Sequence, residues 1–356
     1  LNVLKNSIFK IMRKQLYLIE LLRFLSAASV VIYHYQIYFF QMNHFNEVNI
    51  LENLDSLPFN SVLNLFYKFG DYGVHMFFCI SGFIMSFVYL DKTKEVNAKT
   101  FFISRFSRLY PLHFITLIAV LFIQQYSLYT TETYQLFNFN DLYHFILHLG
   151  FASAWGFEKG LSFNQPIWSV SLEVICYFLF FISLTRLKKI NLYMTLIFLI
   201  AIVIYNKFVI GPSDSHNDLI SCLQLFLTGM IVFQINKKFK KSYLVIFSIA
   251  LLLLSIVGNF KIFIFCPAVL LMIVLFENNF ASIISKKLFS FFGNLTYSLY
   301  LWQTPIAITF ILLIKDNTNV FYTYKFFAIY FMFLITLSAS SYYFLEKKLQ
   351  KLIKGR

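Results

Sequence analysis

Eleven mostly apolar runs follow one another along the chain, at 17–40, 70–90, 106–127, 140–154, 168–185, 191–209, 219–235, 242–258, 260–276, 291–314 and 323–345. Crossing the hydrocarbon core of a bilayer takes about 20 apolar residues in a helix. Such a helix also satisfies its own backbone, which an open sheet cannot do in lipid. The pattern therefore predicts an all-α, polytopic transmembrane helix bundle. Composition agrees: 59% of the 356 residues are apolar and only 13% are charged, against about 25% charged in a soluble domain. A soluble globular enzyme is excluded, and so is disorder, which needs the opposite composition. No Pro-, Gly- or Ser-rich linker, appended soluble domain or internal repeat is visible. Residues 1–356 thus read as one membrane domain with short cytoplasmic tails at 1–16 and 347–356.

The net charge of +14 comes from 30 Lys and Arg against 16 Asp and Glu. In a soluble protein that balance points to nucleic acid. Here the charges sit at the ends of apolar runs, where Lys and Arg collect on the cytoplasmic side of a membrane. The run at 140–154 decides the arrangement, because it is short and carries Asp141, His144 and His148. If it crosses, the basic groups at 186–189, 237–241 and 347–356 fall outside. If it lies in the interface or re-enters, 23 Lys and Arg fall inside, six fall outside, and Arg23 alone lies within the membrane. The expectation is ten spanning helices, a non-spanning segment at 140–154, and both termini in the cytoplasm.

Lys5, Lys10, Arg13 and Lys14 precede the first run as they would in a signal peptide. Glu20 and Arg23 interrupt that run, however, and it continues past the small patch Ser26-Ala27-Ala28, so a retained first helix is expected. Cys79, Cys176, Cys222 and Cys266 lie singly in apolar runs, without metal-ligand spacing, and read as small buried apolar residues. No metal site is expected.

Ionisable groups inside spans are costly and mark functional sites. Arg23 and His34 are 11 residues apart in the first span, so they differ by about 20° around the helix and by about 16 Å along it. Arg23 lies toward the cytoplasm and His34 in the outer part of the bilayer. The competing readings are an Arg23–Glu20 pair at i+3 and a hydrogen-bonded core histidine. Arg105 and Arg108 share a face at the cytoplasmic start of the third span. Topogenic charge would explain them too, but only six of the 30 basic residues are Arg, and three of those six are Arg23, Arg105 and Arg108. Arginine suits bidentate phosphate contacts, so a cytosolic phosphorylated ligand is expected. Near the outer face lie Asp71, His75 and Glu173. Asp71 reads as interfacial and His75 as either core or site, whereas Glu173, one and a half turns inside its span, needs a partner. His34, His75 and Glu173 are expected at similar depth.

These residues also form a family pattern. Arg23 through His34 resembles an arginine-x10-histidine motif. Gly73-Val-His-Met-Phe-Phe-Cys-Ile-Ser-Gly82 resembles G-V-x-x-F-F-x-x-S-G, and Phe102-Ile-Ser-Arg105-Phe-Ser-Arg108-Leu-Tyr-Pro111 resembles R-x-x-R-x-x-P. Trp168-Ser-Val-Ser-Leu-Glu173 resembles W-S-L-S-x-E, and Gly293-Asn-Leu-Thr-Tyr-Ser-Leu-Tyr-Leu-Trp302 resembles G-x-x-S-Y-S-x-Y-L-x-H. Five blocks in this order resemble the acyltransferase-3 family of bacterial integral-membrane O-acyltransferases, almost end to end. Gln303 stands where the last element usually has His, His75 stands at a position often acidic, and Lys347 replaces the proline that follows a glutamate like Glu346. Some relatives carry a C-terminal SGNH-hydrolase-like domain; with only about ten residues after the last span, none is expected here.

The resemblance implies a multi-pass protein of the bacterial cytoplasmic membrane that transfers an acyl group, usually acetyl, from cytosolic acyl-CoA to a carbohydrate hydroxyl. Arg105 and Arg108, with Arg23 as a third cation, would bind the CoA phosphates. His34 would be the general base on the acceptor, since an ordinary imidazole titrates near neutrality. Glu173 or His75 would orient it, as a carboxylate does in hydrolase triads. Trp168 and nearby tyrosines such as Tyr297 would offer faces to the sugar, with His75 beside them. Because Arg23 and His34 are well separated, donor and acceptor are expected to enter one continuous cavity from opposite sides. A secondary transporter or polysaccharide exporter is the alternative, but the matching pair of Gly/Pro-interrupted helices that would mark one is not found.

Overall fold

Several helices start where a side chain supplies the cap. Asn97, Asp141, Asn191 and Thr323 each accept a hydrogen bond from the backbone N–H three residues on, which satisfies a donor that a helix N-terminus leaves open. The structure is a computed structural model that describes residues 16–40, 54–92, 96–187, 190–210, 217–258, 261–280, 286–315 and 317–355. Within these residues the helices are α1 (Tyr17–Phe40), α2 (Asn60–Phe69), α3 (Tyr72–Tyr89), α4 (Ala98–Thr131), α5 (Leu142–Leu149), α6 (Ile167–Arg186) and α7 (Leu192–Tyr205). They continue with α8 (Asn217–Lys238), α9 (Lys241–Val257), α10 (Ile262–Phe280), α11 (Lys286–Ile314), α12 (Tyr324–Ser341) and α13 (Lys347–Ile353). Wide π-helical turns extend α7 and join α12 to α13.

Eight helical stretches are long and apolar enough to cross a membrane, and the apolar stretches Lys241–Val257 and Ile262–Glu277 are shorter. These ten occupy the ten predicted spans. The eight residues of α5 reach only about 12 Å, too little to cross. Its polar side chains fasten it instead. His144 Nδ1 donates to Asp141 at 2.7 Å, His148 Nε2 lies 3.0 Å from Ser162 Oγ, and His113 of α4 donates to the His148 carbonyl at 2.7 Å. The third span runs well past its apolar run, because α4 continues for 34 residues through Lys99, Arg105 and Arg108. α2 was not expected, since its ten residues alternate Asn60, Asn64 and Lys68 with Val62, Leu65 and Phe66, too short and polar for a span.

One end of the bundle collects the helix ends assigned to the cytoplasm. Lys237 pairs with Asp91 at 2.8 Å, Glu277 accepts the backbone N–H of Leu18, Lys241 lies over Phe276 and Lys286 over Tyr17. Phe101 of α4 meets Phe181 of α6 near the same end, so those two helices run antiparallel with α5 between them not crossing. Lys5, Lys10, Arg13 and Lys14 of the tail, together with Lys94, Lys188, Lys189 and Arg356, lie outside the described residues.

α3 crosses α8 at close range, and α1 packs along α11. A Cβ on Gly82 would strike the Phe226 carbonyl and one on Gly229 the Cys79 carbonyl. Small residues at such a crossing let two backbones meet in a membrane. The four cysteines are free and buried, with Cys176 and Cys222 in contact at 3.4 Å. In α11, Pro305 removes the N–H that would bond the Leu301 carbonyl, and Asn164 Nδ2 takes its place at 3.0 Å. That bond draws the start of α6 into the bundle, where Phe163, Asn164 and Ile167 are fully buried.

Candidate active site

Two parallel helices carry the site. On α1, Glu20, Arg23, His34 and Tyr38 fall on one face at steps of three, four and eleven residues. On α11, Thr296, Tyr297, Tyr300, Gln303 and Thr304 form the facing stripe. Phe24 meets Phe292 with ring centres 4.5 Å apart, and further along His34 meets Gln303 at 3.1 Å. The stripes are therefore in register along the whole crossing.

Between them, α3, α4 and α6 enclose a cavity of about 140 Å³ lined by Arg23, Arg105, Arg108, Glu173, Tyr177 and Tyr297, with Ile80, Ile84 and Val170 on an apolar wall. A second, more polar space of about 250 Å³ shares Glu20, Arg23, Arg105, Arg108 and Tyr297 and adds Asn294, Glu346, Gln350 and Lys354. It lies at the basic end of the bundle. Arg23 donates to Glu20 at 3.0 Å. Glu173 accepts from the Tyr177 hydroxyl at 2.7 Å, and that hydroxyl lies 2.8 Å from Ser81 Oγ. Tyr297 donates to the Leu109 carbonyl at 2.7 Å, and Glu346 accepts from Ser298.

Arg105 and Arg108 are treated differently. Arg105 reaches only Ser104 Oγ among the described residues, at 3.4 Å, and its buried Nε has no hydrogen-bond partner among them. Among the described residues, no carboxylate lies within ion-pair distance of either arginine. Nor does any group of three His, Cys, Asp or Glu side chains among them form a metal cage.

A family model described as an acyltransferase domain, acyltransferase-3, matches residues 16–345. The chain belongs to the acyltransferase-3 family. It is a multi-pass membrane acyltransferase, and the match takes in every described helix from α1 to the turn after α12. No curated protein and no solved structure was found to match it.

Of the family-motif residues, the fold brings Arg23, Arg105, Arg108, Glu173 and Tyr297 to one cavity. His34 lies beyond it and lines neither space. Its Nδ1 meets Gln303, with the Tyr38 hydroxyl at 3.5 Å. His75 holds its Nδ1 3.3 Å from the Asp71 carbonyl, and its ring stands edge-on to Phe78, whose other neighbour is Trp168. Neither Glu173 nor His75 makes a hydrogen bond to His34.

The expectation that Glu173 shares the depth of His34 is corrected. The start of α6 is held inside the bundle at Leu301, not at its rim. Counting six residues inward from there brings Glu173 level with Thr296 and Tyr297, about 9 Å along the axis from Gln303. Tyr177 was missed, although its place one turn after Glu173 is a recognisable hydrogen-bonding interval. Gln303 stood out in the sequence only as a departure from the family pattern. Lys354 and Gln350, in the expected C-terminal tail, carried no signal for the site they join.

Proposed function

We propose that this membrane acyltransferase moves an acyl group, most simply acetyl, from a cytosolic acyl-CoA to a hydroxyl of a cell-surface carbohydrate or its lipid-linked precursor, in the bacterial cytoplasmic membrane. The reading is carried by Arg105 and Arg108, two guanidiniums on one helix face of a polar space, neither within ion-pair distance of a carboxylate among the described residues although Glu20 and Glu346 also line that space. A cation left unpaired in a partly buried site is costly. Phosphate or pyrophosphate is the complement that guanidinium geometry fits best, and CoA presents both. The apolar wall of Ile80, Ile84 and Val170 suits the uncharged arm of such a donor, whose thioester end would extend beyond this cavity toward His34.

The acceptor would reach His34 from the opposite end. The acceptor oxygen attacks the thioester carbon while its proton passes to His34. The C–S bond then breaks, and the same proton goes to the departing thiolate, leaving an ester and free CoA. His75 and Trp168, which flank Phe78, are the candidates for the sugar side, and Tyr297 joins the donor side.

Mass spectrometry of cell-envelope glycans, with and without the gene, tests this function. Loss of an O-acetyl ester from an otherwise exported polymer is the expected result. Loss of export of an unmodified polymer would make the protein a transporter instead.

A further inference from the structure

We infer that Gln303 is the positioning residue of His34, fixing the imidazole in the tautomer that carries hydrogen on Nδ1 and leaves Nε2 as the basic atom. The inference deepens the acyl-transfer reading above and rests on it for its kinetic test.

The orientation of the Gln303 amide settles the direction of each bond. Gln303 is fully buried. Its Nε2 donates to the Tyr300 carbonyl at 2.9 Å, which turns Oε1 toward His34 Nδ1 at 3.1 Å. An amide oxygen only accepts, so the hydrogen of that contact belongs to Nδ1. The reversed amide would set its oxygen against the Tyr300 carbonyl, acceptor against acceptor. The Tyr38 hydroxyl, 3.5 Å from Nδ1 and 2.8 Å from Thr304 Oγ1, can accept as well as donate and so is compatible with hydrogen on Nδ1.

The support behind Gln303 is equally definite. Tyr330 donates to the Gln303 backbone carbonyl at 3.3 Å, and Asn164 holds the Leu301 carbonyl that Pro305 leaves open. His34 itself is only half-buried, and its Nε2 has no hydrogen-bond partner among the described residues. The ring is thus anchored on one nitrogen and unbonded at the other among the described residues. A histidine whose one nitrogen is held by an acceptor presents the other as a base, the arrangement that a carboxylate enforces in hydrolase triads and a carbonyl enforces at many metal sites. In the proposed step Nε2 takes the acceptor proton and returns it to the thiolate, while the other hydrogen stays on Nδ1, donated to Gln303 Oε1.

The test uses Gln303→Met, which keeps length but loses the acceptor oxygen, and Gln303→Glu, which keeps that oxygen and, as a protonated carboxyl, a donor toward the Tyr300 carbonyl. Gln303→Met is expected to lower kcat by about 100-fold, the lower end for a misplaced general base, with the acyl-CoA KM within about twofold of wild type. Gln303→Glu should stay within about tenfold of wild-type kcat, since the group Nδ1 bonds to is preserved. Full kcat in Gln303→Met, or equal loss in both variants, would overturn the assignment. A second readout does not depend on acyl transfer: the 15N resonances of histidine-labelled protein, with His34 assigned by comparison with His34→Asn. Wild type should show Nδ1 protonated and Nε2 bare, with that pattern lost in Gln303→Met. If the tautomer is as stated but wild type transfers no acyl group, the proposed activity fails and the role of Gln303 stands. An Nε2-protonated His34 in wild type removes that role.

Discussion

Arg23 donates to Glu20 at 3.0 Å, one turn back on the same helix, while lining both spaces that Arg105 and Arg108 also line. The structural ion pair and the ligand site are therefore not alternatives for this arginine. Its side chain keeps 15% exposure and that of Glu20 keeps 34%, so the pair is accessible and worth little by itself. Its consequence is electrostatic: Glu20 neutralises one of three cations in the cavity. Glu20→Gln should lower the apparent KM for acyl-CoA by about two- to fivefold, as loss of a weak exposed-type pair frees a charge for the ligand. Arg23→Ala should raise it. Steady-state kinetics against acyl-CoA check both directions, and a raised KM in Glu20→Gln would place the carboxylate among the donor's own ligands.

Tyr177 joins Glu173 to Ser81, bridging α6 and α3. Tyr177→Phe removes a hydroxyl and leaves a carboxylate facing the arginines with one donor fewer. The expected loss of stability is about 1 kcal/mol, the usual net value of a hydrogen bond, read as a lower Tm in detergent. Because Glu173 makes no hydrogen bond to His34, the tautomer of His34 should be unchanged in that variant.

Outside the spanning helices, Asp141 caps α5. The His144 backbone N–H and then the His144 side chain hold its carboxyl below its ordinary value. A carboxyl lowered in this way contributes stability that is complete above its unfolded value of about 3.9 and is lost as pH falls through the lower folded value. Asp141→Ala should cost about 1 kcal/mol at pH 7, the usual value of a cap. The gap to wild type should close only in strong acid. Thermal unfolding of both proteins across pH checks this, and a gap that widens in acid contradicts it.

The apolar runs disclosed the ten helices because a bilayer demands length and composition, and both are properties of consecutive residues. The short, polar run at 140–154 betrayed α5 for the same reason. The three arginines of the cavity were also legible, since i, i+3 spacing fixes Arg105 and Arg108 on one face and burial of Arg23 is visible in its own helix. What stayed hidden depended on contacts between distant segments. The partner of His34 is 269 residues away, and no spacing within α1 or α11 announces it. The depth of Glu173 follows from the bond of Asn164 to a carbonyl that Pro305 frees, a tertiary event that moves the start of α6 inward. Apolar counting also stops where lipid stops, so it missed the polar continuation of α4 and the helix α13 that brings Gln350 and Lys354 to the polar space beside Arg105 and Arg108.

Equilibrium binding of acetyl-CoA to the purified protein, wild type against the Arg105→Ala/Arg108→Ala pair, tests the donor assignment most directly. Each guanidinium is expected to supply a charge-assisted bond of about 1.5–3 kcal/mol, so the double variant should bind at least about 100-fold more weakly at a conversion of 1.4 kcal/mol per tenfold. Acetyl-CoA binding that is unchanged in the double variant would contradict the account.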